Sequence, residues 1–245
     1  MTSAPPPAKL DLSRVVAEAF ALPWKRRDVF VKALALPALA IVAIQVGWGM
    51  AEGRVGTAVG WAAWAGYGIL WILYAVACHR LVLLDLGSAE VSMMPGWGRR
   101  ETVFVAWVLA ICVTTYVAAG LAVMTVGTVI ANLFSTALFE AVYQQFMLLL
   151  ATYVFARLAL LLPAAAIDAR TTFLEAWRQT RGNGWRMVVV VGVLPWTFRY
   201  LANFVEGDDP GMAKGVIMTA LATILLAVEI SALSLSYRQL AAEKA

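Results

Sequence analysis

Arg157 and Glu229 sit inside long apolar runs. An ionisable side chain in such a setting is the first place to look for function. Arg157 lies 11 residues before Asp168, and Glu229 lies nine before Arg238. At ~1.5 Å rise per helical residue these offsets are about 16 and 14 Å, so the two charges reach similar depth if both helices run the same way. A lone charge at the bilayer centre costs about 2.5–3.5 kcal/mol or more, and pairing lowers that cost most cheaply. The expectation is a direct or water-bridged Arg157–Glu229 pair. The alternatives are that Arg157 snorkels to the headgroups and that Glu229 is protonated or bonded near Ser231.

Catalytic constellations are missing around them. His79 is the sole histidine, and no metal-ligand spacing surrounds it; a place at the interface is expected for it. Cys78 and Cys112 are embedded in apolar sequence and lack C-x-x-C spacing. The H-E-x-x-H, Walker A and G-x-S-x-G patterns do not occur. Enzyme activity, a cofactor and a metal site are therefore not expected.

Composition fixes the surroundings of these side chains. The chain has 245 residues, 62% hydrophobic and 14% charged, with mean hydropathy +0.79. A soluble domain averages roughly 45–50% apolar and about 25% charged. An apolar excess of this size, spread over the whole length, means a polytopic membrane protein. The net charge of +4 is no nucleic-acid footprint, because the basic residues flank apolar runs, where membrane topology accounts for them.

The elements that must position these residues follow from apolar periodicity. The expected fold is an all-α membrane protein: six transmembrane helices as three hairpins, with short amphipathic helices on the cytoplasmic side. Residues 1–10 read as a Pro-rich disordered tail, and 11–240 as one domain. Asp11 can cap a helix whose Leu12, Val15, Val16, Ala19 and Phe20 form one apolar face. That helix is too short to span, belongs in the headgroup plane, and should end at Pro23. Spans are expected at about 29–51, 56–83, 102–131, 143–166, 187–205 and 212–235. Gly56-x-x-x-Gly60 lets helices approach closely, within the chain rather than between copies. Pro195 should kink or thin the fifth span. Before it, Thr172 and Glu175 have capping-box spacing, and Phe173, Ala176 and Trp177 share an apolar face turned to lipid. Turns are expected at Glu52–Arg54 and Glu206–Gly211.

Tryptophan beside cation marks the entries through a headgroup layer. Trp24, Arg26 and Arg27 precede the first span, and Trp97, Arg99 and Arg100 the third. Trp177, Arg178, Arg181, Trp185 and Arg186 precede the fifth. These are the expected headgroup contacts, and a basic face of this kind suits anionic lipids. The opposite loops hold few cations, with Arg54 and Lys214 the clear cases, so both termini are expected in the cytoplasm. Leu10-Asp11-Leu12, Leu84-Asp85-Leu86 and Ile167-Asp168-Ala169 each precede one of these tryptophans by about 12 to 17 residues. The pattern suggests three repeats; the alternative is that every inner entry selects Trp and Arg anyway.

With its exit ARLALLLPAAAID and the amphipathic FLEAWRQTRGNGWR that follows, the chain resembles the membrane domain fused to glycerophosphoryl diester phosphodiesterases. It is also similar to the YciC-type six-span proteins. The likeness covers nearly the whole chain in layout and Arg157–Arg186 in residues. It implies a multi-pass protein of the bacterial inner membrane; the phosphodiesterase barrel is not part of this sequence, so its activity is not carried over. The functional expectation is a non-catalytic scaffold, lipid-contacting protein or accessory subunit, with the bilayer as partner and a membrane protein or a second copy as a further one. The alternative is a small-solute or lipid transporter using Arg157 and Glu229.

Overall fold

A computed structural model of the protein describes residues 9–51, 56–87, 90–92, 96–122, 124–125, 136–206 and 212–241. Among them the regular elements are all helical. In chain order they are α1 (Leu12–Lys25), α2 (Arg27–Ala51), α3 (Thr57–Leu83), α4 (Arg99–Ala122), α5 (Thr136–Leu158), α6 (Leu161–Ala166), α7 (Phe173–Gln179) and α8 (Gly184–Val188). A π-helical turn, Val189–Val193, then leads into α9 (Leu194–Glu206), and α10 covers Met212–Ala241. Five stretches are long and apolar enough to cross a bilayer: Arg27–Trp48, Thr57–Leu83, Arg99–Ala122, Tyr143–Ala166 and Lys214–Ala241. The chain is a multi-pass membrane protein. Of the tail expected at 1–10, residues 1–8 lie outside the described residues, while Leu10 is buried and bonded to Asn183 rather than disordered. The turn at Glu52–Arg54, the last part of the third span and the acidic turn over 207–211 also lie outside them.

Prolines set the breaks. A proline has no N–H for the carbonyl four residues back, and its ring crowds that carbonyl. For Pro163 that residue is Ala159, where α5 gives way to a turn; the Ala159 carbonyl accepts instead from Leu162 N–H at 3.1 Å. For Pro195 it is Val191, inside the π turn. The stretch expected as the fifth span, 187–205, is thus helical but in three pieces. Pro23 does not end α1 as expected. The helix continues to Lys25 and closes with Arg26 N–H on the Leu22 carbonyl, so a single residue separates α1 from α2.

Caps follow the side chains. Asp11 accepts from the Arg14 N–H at 3.1 Å and the Ser13 hydroxyl at 2.7 Å. Those two bonds, the Ser13 one foremost, hold its carboxyl below the usual value. Thr172 and Glu175 form the reciprocal capping box at the start of α7.

At the centre lies α10, which touches α1, α2, α3, α9 and the π turn. Polar groups stitch it to α3. Tyr74 OH donates to the Thr223 carbonyl at 2.9 Å, and His79 Nδ1 meets Ser234 Oγ at 2.7 Å. The bonded pairs advance together along both helices, so α3 and α10 run parallel. Because Ser234 Oγ donates its proton to the Ile230 carbonyl at 2.8 Å, His79 is the donor in their bond. His79 is buried between helices and beside Phe104. Elsewhere α2 packs along α3, α4 along α5, and α9 along α10.

Close packing at Gly60 is within the chain: a Cβ there would come within 2.8 Å of the Trp48 ring of α2. Exposed apolar side chains such as Leu109, Val113, Val117 and Leu121 cover α4, as a lipid-facing helix requires. On α3 the rise from Trp61 to Arg80, at ~1.5 Å per residue, is about 28 Å, close to the hydrocarbon thickness of a bilayer.

Candidate functional site

One end of the bundle gathers the basic segments. Leu10 N–H donates to Asn183 Oδ1 at 2.8 Å, joining the N-terminal stretch to the loop before α8. Arg238 of α10 lies 3.7 Å from Glu18 of α1. Arg26 donates to Asp85 at 2.6 Å and also holds the Leu81 and Leu86 carbonyls. Arg100 grips Asp168 with two bonds of 2.9 and 2.7 Å. Asp85 and Asp168 share a backbone state, φ 52° and 58°. Each occupies the left-handed position just past a helix end, which Asp tolerates better than most residues. Asp11, the first of the three aligned aspartates, plays a different part as an N-cap.

These contacts sort the expected headgroup residues. Arg26 bonds Asp85 and two backbone carbonyls, and Arg100 bonds Asp168, so both are engaged by the protein itself. Arg27, Arg99, Arg178 and Arg181 are exposed, as are Trp24, Trp97, Trp177 and Trp185; the indole N–H of Trp97 bonds Thr102. In α7, Phe173 does not face lipid but packs edge-on to Trp107 of α4 at 5.2 Å, and Ala176 is buried.

The expected Arg157–Glu229 pair is not formed. Arg157 is buried, 7% exposed, and its guanidinium bonds two residues of the connector and Tyr153 of its own helix. Nε donates to Thr180 Oγ1 at 2.8 Å, Nη1 to Tyr153 OH at 3.2 Å, and Nη2 to the Trp177 carbonyl. The group also lies over the Trp177 ring, 4.2 Å from its centroid. Among the described residues no carboxylate forms an ion pair with it. Arg157 and Glu229 line different cavities. The break at Ala159 lets the connector fold back against α5 and meet Arg157 there.

Beside it runs an open notch of about 590 Å³, lined by Leu12, Tyr153, Arg157, Gly182, Gly184, Trp185, Arg186 and Val189. Two arginines, two glycines and two aromatic rings face it, and none of these lining residues is acidic. Gly182 makes the turn possible at φ 78°, where side chains are strained. A Cβ on Gly184 would meet Tyr153 at 3.0 Å and Arg157 Cδ at 3.2 Å.

Glu229 faces elsewhere, into a cavity of about 530 Å³ between α2, α3, α9 and α10. Its walls are mostly apolar, with Gln45, Tyr67, Arg199, Thr219 and Thr223 as polar points. Arg199 is the charge that acts on Glu229. Sequence reasoning passed over Arg199, although a cation four residues after Pro195 inside an apolar run was a visible signal.

No protein-family model matches the chain, and neither a curated protein nor a solved structure is similar to it.

Proposed function

We propose that this protein is a non-catalytic, lipid-contacting protein of the bacterial inner membrane, with six spans in three hairpins and both termini in the cytoplasm. The observation that carries the reading is the gathering of basic and tryptophan-bearing segments at one end of the bundle. Such a face attracts anionic headgroups by about 1 kcal/mol per cation near the surface, and bacterial positive-inside bias puts it in the cytoplasm. The parallel run of α3 and α10 supports an even number of crossings, with α8, the π turn and α9 together making the additional one. A bent crossing of this kind is tolerated where neighbouring helices satisfy the freed backbone groups. The likeness to the phosphodiesterase-linked and YciC-type membrane domains belongs to the same proposal.

The cavity at Glu229 favours a second reading, transport of a small amphiphile. It would use Glu229 and Arg199 rather than Arg157. Lipid extracted from protein purified in mild detergent tests the first reading. It should be richer in anionic phospholipid than the membrane it came from. Equal composition would contradict lipid contact of this kind.

A further inference from the structure

We propose that the notch beside Arg157 is a binding site for the phosphate of one anionic phospholipid, entered from the headgroup layer. The inference rests on the lipid-contacting reading and names one built site within it. Four observations carry it.

The first is the uncompensated charge. Arg157 is 7% exposed, and its partners are a hydroxyl, a phenol, a carbonyl and an indole face, all neutral. A buried cation without a counter-ion is costly, and an anion in the adjoining notch removes that cost. The second is donor supply. A guanidinium carries five N–H groups, and the protein accepts from Arg157 in three bonds, which leaves donors for a ligand. Arg186 lines the same notch and can provide a second charge-assisted bond.

The third is the shape of the floor. Gly184 lets the chain pack closely on Tyr153 and Arg157, where a methyl would meet and displace both. Asn183, buried beside it, ties down through Leu10 the N-terminal stretch whose Leu12 lines the notch. The fourth favours a lipid over free phosphate. Trp185, 62% exposed, sits at the mouth with its ring 5.2 Å from Tyr153, as interfacial tryptophans do. Val189 and Leu12 continue the notch as apolar surface along which acyl chains can lie. The volume, about 590 Å³, is that of a small-molecule site.

The test uses the full chain in nanodiscs of phosphatidylglycerol and phosphatidylethanolamine in equal parts, released into native mass spectrometry. Wild type should retain one phosphatidylglycerol in preference to phosphatidylethanolamine. Arg186→Gln, which leaves the Arg157 network intact, should reduce that retention about tenfold, the loss of one charge-assisted bond. Gly184→Ala should reduce it as well, whereas Lys25→Gln should not. Thermal unfolding of each variant, read in parallel, separates lost binding from lost fold, and Arg186→Gln carries the test if Gly184→Ala does not fold. Retention by Arg186→Gln equal to wild type overturns the site while leaving general lipid contact standing. No preference for phosphatidylglycerol in wild type overturns both. Inorganic phosphate that stabilises wild type and displaces the retained lipid would assign the notch to a soluble anion and overturn the lipid as occupant.

Discussion

Gly192 of the π turn has no room for a side chain. A Cβ there would lie 2.4 Å from Thr152 Cγ2 of α5. Thr152 cannot easily swing away, because it is β-branched and its hydroxyl donates to the Leu148 carbonyl at 2.7 Å. Gly192→Ala should therefore lower stability by about 1–3 kcal/mol, and adding Thr152→Ser, which removes the obstructing methyl, should restore most of it. Thermal unfolding in detergent reads both; a single variant as stable as wild type would mean that the π turn is free to shift. Arg157 and Glu229 give a second prediction at this scale. They share no partner, so the costs of Arg157→Gln and Glu229→Gln should add within ~0.3–0.5 kcal/mol. A double variant clearly milder than the sum would restore the pair. That Arg157 is special was legible, since a lone cation in an apolar run needs an explanation. Its partners were not, because Thr180 and Trp177 reach it only through the turns that fold the connector back against α5.

Among the elements, two helix pairs close with the same device. Arg26 at the head of α2 meets Asp85 after α3, and Arg100 in the first turn of α4 meets Asp168 after α6. The recurring Leu-Asp-Leu and Ile-Asp-Ala triplets made these aspartates visible in the sequence. Their role was not visible, because a left-handed residue past a helix end depends on where the helix stops. The Asp168 pair is partly solvated, with side chains 30% and 59% exposed. Asp168→Asn, which tolerates the same backbone, should therefore cost no more than about 1 kcal/mol. Asp168→Val should add ~1–2 kcal/mol of backbone strain. Chemical denaturation in micelles compares the two; equal losses would show that the ion pair, not the backbone state, holds this corner. Helix limits were legible for α2 and α3, where apolar length decides. They were less so for α1 and the stretch 187–205. In α1 Pro23 merely removes one bond near a helix end, and in 187–205 a π turn absorbs Pro195.

For the whole molecule, the membrane class was legible from composition alone. What the sequence could not supply is which helix lies at the centre. The serines and threonines of α10 read as interruptions of an apolar run, yet in the fold their hydroxyls bond back to their own helix, Ser231 and Ser234 meet Cys78 and His79 of α3, and the Thr223 carbonyl accepts from Tyr74. That polar seam aligns α3 and α10 in parallel, and with the contacts of Glu18 and Asn183 it draws the basic segments to one face.

Cysteine accessibility in intact cells tests this central claim most directly. In a chain with Cys78 and Cys112 changed to serine or alanine, Gly56→Cys, Lys25→Cys, Arg181→Cys and Gln239→Cys would each be exposed to a membrane-impermeant maleimide. The account predicts that Gly56→Cys is labelled from outside and that the other three are labelled only after the membrane is permeabilised. Labelling of Gln239→Cys from outside while Lys25→Cys stays protected would mean an odd number of crossings and would contradict it.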